Sequence, residues 1–472
     1  MRVHAASISL LPCLIPPRTV TGTPTYHPPP EASTPDEHTC HEWQRDPAAR
    51  HPPTDGCAGR RRGHLPETLL RSPPPTARFG LHGETARLRP GGRHLRRRAR
   101  ARELFTAGDK VINVQPNLGR ILGTGSIFSL EGRQHRARRK LLTPPLHSKR
   151  MKTYEQIVEE EVRTEAATWP NGTEFASMEP MMRITLNVIL RAVCGAQGKD
   201  LENLRRMIPP MVVTGSRAAT FPNLPHALRA LDPNHRYRRM HAEYKTYIGD
   251  LITKSRNDSR LEERDDILAL MLRSTYEDGT GMDDEEIGDE LLTMLAAGHE
   301  TTGTTLAWAF ERLRRHPDAL AELVTEVDAG GTEYRHATIL ETQRSRPVID
   351  FAARHVVADH LELGRWRIPR GYNVMVSIAL LHADSREFGN PERFDPTRFL
   401  GTAPPAAWLP FGGGTRRCIG AAFATMEMDV VLRTVLSDFE LLPTDDRAER
   451  WFSRGVAYAP AGGGRIAVRR RP

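Results

Sequence analysis

Proline divides this chain into two unlike parts. Residues 1 to 102 carry 16 of the 37 prolines, among them Pro28-Pro29-Pro30 and Pro73-Pro74-Pro75. Proline removes a backbone donor and stops helix propagation, and hardly any apolar periodicity accompanies it here. Such a stretch cannot bury enough surface to offset its chain entropy, so residues 1 to 102 are expected to be a disordered, Pro/Arg-rich segment. From Glu103 onward the pattern changes to long amphipathic segments separated by turn signals. Helices are expected near 131–150, 151–169, 178–196, 200–211, 234–257, 283–316, 317–328, 335–346 and 418–437, the one near 283–316 being the longest. Short strand-like runs, Arg354 to Val357, Leu361 to Ile368 and Tyr372 to Ser377, carry Gly364 and Pro369-Arg370-Gly371 as turns. The expected fold class is mainly α with a minor β-sheet toward the C-terminal side, without solenoid repeats.

Charge follows the same division. Residues 1 to 102 hold 17 Arg, no Lys and 8 Asp+Glu, while the rest holds 50 basic and 50 acidic residues, so the net +9 belongs to the first segment. The run Arg93, Arg96, Arg97, Arg98, Arg100 and Arg102 has the makings of a nucleic-acid or membrane-surface patch, but a solvated tail is the simpler reading. An all-Arg, Pro/His-rich composition is also what GC-rich DNA yields out of phase, so a misplaced frame or start is a second reading. The neutral body gives no reason to expect a nucleic-acid partner. No stretch reaches the roughly 18 apolar residues needed to span a bilayer. Ala5 to Ile15 comes nearest, but prolines interrupt and follow it, and with only Arg2 in front it is a poor signal peptide. Five cysteines, at 13, 40, 57, 194 and 418, contain no C-x-x-C pair and leave an odd thiol, which argues against a zinc finger or a disulfide framework. A soluble, cytoplasmic protein is expected.

The most informative stretch is Phe411-Gly412-Gly413-Gly414-Thr415-Arg416-Arg417-Cys418-Ile419-Gly420-Ala421, at the head of a helical segment. A cysteine at a helix N-terminus meets unpaired N–H groups and the positive end of the dipole, both of which favour thiolate over thiol. The glycines allow a flat ligand to approach the backbone, and Arg416 and Arg417 add positive charge. A nucleophilic cysteine would need a base, and no His lies in the loop, although the fold could bring one from elsewhere. A phosphate loop would need a Lys and a Ser/Thr that are missing. Spacing alone stops at an activated thiolate.

Within the longest helical segment, Gly298, His299, Glu300, Thr301 and Thr302 interrupt an apolar run from Leu291 to Phe310. A buried Glu300 must be paired or protonated. Either these side chains serve solvent, an ion pair and the helix's own carbonyls, or they form a polar site inside the protein. The residues alone do not decide between these.

Phe411 to Gly420 fits F-G-x-G-x-R-x-C-x-G at every fixed position and resembles the haem-binding signature of the cytochrome P-450 family. The resemblance implies that residues 103–472 are a cytochrome P-450 catalytic domain whose N-terminal portion is atypical or missing. It implies haem b (iron protoporphyrin IX) with Cys418 as axial iron ligand, Phe411 and Gly412 beside it, and Arg416 on a propionate. A thiolate ligand pushes electron density toward iron and favours O–O cleavage. Ala297-Gly298-His299-Glu300-Thr301-Thr302 is similar to the family's A-G-x-[DE]-T-[TS] oxygen-activation motif, which makes Glu300 a proton relay and Thr301 the steadying hydroxyl. Glu341-Thr342-Gln343-Arg344 resembles the E-x-x-R helix, and Phe394-Asp395-Pro396-Thr397-Arg398-Phe399 the segment that lends a second arginine. Glu341, Arg344 and Arg398 are thereby implied as a buried structural network. His135 and Arg139 resemble the H-x-x-x-R pair that meets the propionates, and Arg354 is a third such contact. Arg136, Arg138 and Lys140 are read as surface cations which, with Arg417, would steer an acidic redox partner.

What the resemblance implies is a haem-thiolate monooxygenase. It would insert one oxygen atom from O2 into a hydrophobic organic substrate, with electrons from NAD(P)H through ferredoxin and ferredoxin reductase or a similar donor. A peroxide-using or isomerising haem-thiolate enzyme, less dependent on Glu300 and Thr301, is one alternative. A non-catalytic haem-binding relic is another, because residues 1 to 102 show no counterpart of the family's first strands and helices, and the linker Asp328 to Tyr334 is short. Met207, Met211, Val212, Phe221 and Leu224 are read as an apolar roof over the substrate.

Overall fold

A computed structural model describes residues 98–114, 118–146, 151–220 and 234–472, all of them within one compact unit. The expectations for residues 1–97, and for Phe221 and Leu224, lie outside the described residues. The helices are α1 (Arg98–Phe105), α2 (Gly119–Leu122), α3 (Gly132–Leu142), α4 (Met151–Ala166), α5 (Met178–Cys194), α6 (Gly198–Thr220), α7 (His235–Arg256), α8 (Ile267–Arg273), α9 (Asp284–Arg314), α10 (Pro317–Asp328), α11 (Glu333–Ser345), α12 (Ile378–His382) and α13 (Ala421–Asp438). The strands are β1 (Val111–Asn113), β2 (Phe175–Ala176), β3 (Phe351–Val356), β4 (His360–Leu363), β5 (Trp366–Pro369), β6 (Asn373–Ser377), β7 (Phe439–Leu441), β8 (Trp451–Ser453), β9 (Tyr458–Pro460), β10 (Arg465–Ile466) and β11 (Val468–Arg470).

Local chemistry accounts for the longest element. Asp283 caps α9 by accepting from Glu286 N at 2.8 Å, and the Glu286 carboxylate returns to Asp283 N at 3.2 Å. Acidic residues fill its first turn and Arg312 and Arg314 its last, as the helix dipole favours. Its 31 residues make a rod of about 46 Å. Against this rod pack α5, α7, α11 and α13. Val158, Ile184, Leu190, Leu291, Leu295, Phe310 and Val431 belong to the resulting core.

A second apolar cluster joins Leu104 and Phe105 of α1 to Leu340, Val356, Leu361, Val374, Phe388 and Phe399. It lies under a three-stranded antiparallel sheet, β1-β3-β6, in which Arg354 pairs with Asn113 on one side and Val374 on the other. The remaining strands form two-stranded pairs, β2-β10, β7-β11, β4-β5 and β8-β9.

Several sequence expectations shift. Helix α1 begins at Arg98, ahead of the composition change at residue 103, and Arg100 donates to Glu103 at 2.7 Å. The last members of the arginine run therefore lie in a packed helix. Helix α6 does not stop at residue 211 but runs through Pro209 and Pro210 to Thr220. Proline weakens a helix interior, but here Met211 and Val212 are buried immediately after it, and tertiary packing outweighs the local cost. Helix α8 is too short for periodicity to reveal, and it is capped by Asp266 accepting from Ala269 N at 3.0 Å. No helix among the described residues is long and apolar enough to cross a membrane.

Candidate active site

The cysteine loop is held by a relay of backbone hydrogen bonds. Leu409 N donates to His382 Nε2 at 2.9 Å, Gly412 N to Leu409 O at 3.0 Å, and Cys418 N to Phe411 O at 2.9 Å. Gly412 and Gly414 have φ of 66° and 67°, which a side chain would strain. The expectation that the glycines admit a flat ligand needs amendment at two positions. A Cβ on Gly413 would meet Phe105 Cδ2 at 2.6 Å, and one on Gly414 the Phe105 carbonyl oxygen at 2.0 Å. It is helix α1 that these two glycines admit.

The Cys418 thiol is accessible to solvent, yet burial is the largest influence on its ionisation. A group both accessible and closely surrounded by protein sits on the wall of an internal recess. Burial pushes the thiol above its ordinary value, and the Gly420 N–H, Arg417 and Arg139 oppose this without overcoming it. Spacing alone pointed to a thiolate secured by the helix terminus, and desolvation outweighs that help. A metal bonded to the sulfur would remove the proton outright.

Around this recess stand a histidine and three arginines from three parts of the chain. His135 and Arg139 lie on one face of α3, Arg354 on β3 and Arg416 in the loop. Burial, then Arg416, Arg139, Arg136 and Arg354, lower His135 to about 4, so its ring is neutral at neutral pH. Burial and Arg416 lower Arg354 to about 10, with Glu131 opposing. Its guanidinium lies 5.1 Å from the Phe105 ring. Arg416 donates to Ile127 O at 3.1 Å and to Leu130 O at 2.5 Å, and pairs with Glu131. The Glu131 carboxylate thus acts on Arg354 and Arg416, while Arg416 is crowded in turn by Arg139. Such a cluster accommodates a ligand bringing two carboxylates, and a haem with its propionates, bonded at the nearby thiol, fits that donor set.

Arg138 is not the surface cation expected. Its side chain is 1% exposed, with Nη1 donating to Glu290 at 2.9 Å and Gly125 O at 2.6 Å, Nε to Tyr276 Oη at 2.8 Å, and Nη2 to Glu286 at 2.5 Å. On α3 it shares the buried face of His135 and Leu142, one turn either side. Arg136, Lys140 and Arg417 do face solvent, Arg136 at 3.5 Å from Asp109 and Lys140 at 2.7 Å from Glu277.

On the long helix, every residue from Ile287 to Arg314 is buried except Ala296, Ala297, Gly298 and Thr301. Ala297 and Thr301 are one turn apart, so these residues form one solvent-accessible stripe on an otherwise buried length of helix. The Thr301 hydroxyl donates back to Ala297 O at 2.7 Å. Glu300 is buried and accepts from Arg454 Nε at 3.2 Å. Burial pushes it above its ordinary value and Arg454 opposes. His299 turns away to Leu295 O at 2.6 Å and is lowered by burial to about 4. The backward hydrogen bond and the ion pair considered from sequence are both present, and the accessible face of the helix is there as well. Thr302 reaches Glu427 of α13, a buried carboxyl lifted well above its ordinary value, whose Oε1 has no partner among the described residues.

Glu341 and Arg344 come together and are buried, with Arg398 half-buried beside them. Arg344 Nε and Nη2 donate to the two Glu341 oxygens at 2.6 and 2.7 Å, while Nη1 donates to His382 O and Nη2 also to Pro391 O. Glu341 further accepts from Asp395 N at 2.9 Å. Arg398 Nε lies 3.0 Å from Glu341 but makes no hydrogen bond to it; its Nη1 donates to Gly389 O at 2.9 Å.

Arg454, His382, Glu427 and Glu131 escaped the sequence reading. Nothing near Arg454 or His382 in the chain announces a partner. Glu427, alone in the apolar face of a helix, and Glu131, beside His135, carried weak local signals.

The cytochrome P450 family model matches residues 105–461. The chain is 56% identical over 373 residues to the protein named "Putative cytochrome P450 138" of Mycobacterium tuberculosis, covering 79% of this chain and 85% of that protein. It is 38% identical over 379 residues to "Putative cytochrome P450 137" of the same organism, 79% of each being covered. The crystal structure of the cytochrome P450DA heme domain superposes with a TM-score of 0.71 at 24% identity, over 80% of this chain and 87% of that one.

Proposed function

Since the chain belongs to the cytochrome P450 family, we propose that it inserts one oxygen atom from O2 into a C–H or C=C bond of an apolar substrate. The family makes it an oxidoreductase, a haem b monooxygenase that uses O2 and an electron-transfer partner. When bound, haem b supplies the iron at which O2 is reduced and its O–O bond cleaved.

In this reading the protein's own residues do the following. Cys418 offers its sulfur to the iron, with Phe411 and Gly412 shaping the turn beside it. His135, Arg139, Arg354 and Arg416 take the anionic edge of the cofactor, which eases the crowding among the arginines. Glu300, lifted by burial, holds a proton at its carboxyl more readily than an exposed glutamate. The Thr301 hydroxyl, on the accessible stripe, passes a proton toward the recess and receives one in return. Glu341, Arg344 and Arg398 act structurally, by fixing the segment that leads into the loop. Electrons come from NAD(P)H through ferredoxin and its reductase or a similar donor, steered by exposed Arg136, Lys140 and Arg417. Those reagents set the protein to work in the cytoplasm.

The observation that supports this most is an accessible thiol in a recess beside a cluster of cations with a single carboxylate. The test is the absorption of the purified protein. The ferrous CO complex should show the red-shifted Soret band of thiolate ligation, and Cys418→Ser should lose it. An unchanged band in the serine variant would refute the assignment.

A further inference from the structure

The turn between β8 and β9 carries a cation that the reaction as described leaves unused. Arg454 N donates to Ala457 O at 2.9 Å and closes the turn. Helix α6 presses on the tip, since Val456 N donates to Ser216 Oγ at 3.1 Å and a Cβ on Gly455 would lie 2.6 Å from that oxygen. Arg454 is therefore fixed at the backbone, between α6 and the polar stretch of α9. Its side chain is 32% exposed, and Nε donates to Glu300, the neighbour of Thr301. Its two terminal amino groups have no partner among the described residues. A guanidinium is a planar fork made for carboxylates, and this one has most of its donors to spare.

We propose that the substrate carries a carboxylate on an otherwise apolar body, and that Arg454 anchors that carboxylate at the α6–α9 wall of the site. The apolar part has Ala297 and the accessible stripe of α9 to lie against. The anchored anion competes with Glu300 for the same guanidinium. Arg454 is the one charged group acting on Glu300 among the described residues, so once it turns to the substrate, burial acts unopposed and lifts Glu300 further above its ordinary value.

This inference deepens the haem-thiolate reading and borrows its optical signal. The holoprotein is titrated with dodecanoate and with methyl dodecanoate, which share an apolar chain, and binding is read from the Soret shift. Wild type should bind dodecanoate about tenfold more tightly than the ester, the worth of one charge-assisted hydrogen bond. Arg454→Gln should bind both alike, with affinity for the ester unchanged, and Arg454→Lys should keep part of the preference. Glu300→Gln, which frees Arg454 of its competitor, should tighten dodecanoate further. Equal binding of the two probes by wild type, or an undiminished preference in Arg454→Gln, overturns the anchor while a normal ferrous CO band leaves the haem-thiolate reading intact. Loss of that band in wild type would instead strike the reading itself.

Discussion

His382 ties two distant parts of the site through one imidazole. Its Nδ1 lies 3.2 Å from Arg344 O, and its Nε2 accepts from Leu409 N, an arrangement that requires the neutral ring with its proton on Nδ1. Burial first, and Arg344 second, lower it from 6.5 to about 3. Between those values the unfolded chain binds the proton and the folded one does not. The stability owed to this group is therefore complete above pH 6.5 and drains away as the pH falls toward 3. Across that window one proton corresponds to about 1.4 kcal/mol per pH unit. His382→Asn should unfold with a pH dependence shallower by about one proton than wild type, measured as urea midpoints between pH 7 and pH 5. Parallel profiles would mean that the native imidazole takes up its proton over the same pH range as in the unfolded chain.

Among elements, α11 shows how a helix can brace a loop without touching the chemistry. Its Glu341 and Arg344 hold the segment from Pro391 to Asp395, and Trp408 Nε1 donates to Leu340 O at 3.1 Å just ahead of the cysteine loop. Glu341→Gln leaves Arg344 buried with only carbonyls around it. We expect a loss of about 3–5 kcal/mol in chemical denaturation, with loss of haem on gel filtration. A cost under about 1 kcal/mol would mean that the carbonyls alone suffice. The pair was legible as an i,i+3 spacing, but an exposed pair at that spacing is worth little. The value comes from burial and from His382, Pro391 and Asp395, none of which the helix contains.

At the scale of the whole molecule, charge acts at a distance. Arg136 and Lys140 are exposed, whereas Arg138 of the same helix is spent on Glu286 and Glu290. Reversing Arg136 and Lys140 to Glu should slow reduction by ferredoxin and weaken its salt dependence, with the ferrous CO spectrum unchanged. Stopped-flow rates at two ionic strengths decide the point, and equal rates for variant and wild type would remove this face from the docking surface.

What the sequence by itself determined is what neighbours along the chain can specify. The extent of α9 follows from its capping box and apolar run and the loop from its glycines, while the parts given to Cys418, Glu300, Thr301, Glu341 and Arg344 rest on short motifs that resemble those of the cytochrome P-450 family. Only the tertiary structure decided what each charge meets. Glu300 finds Arg454 154 residues away, Arg138 finds Glu290 at 152, and Arg416 finds Glu131 at 285. The reason is physical: hydrogen-bonded turns and helix faces act over a few residues, while desolvation and ion pairing depend on which segments the hydrophobic core brings together.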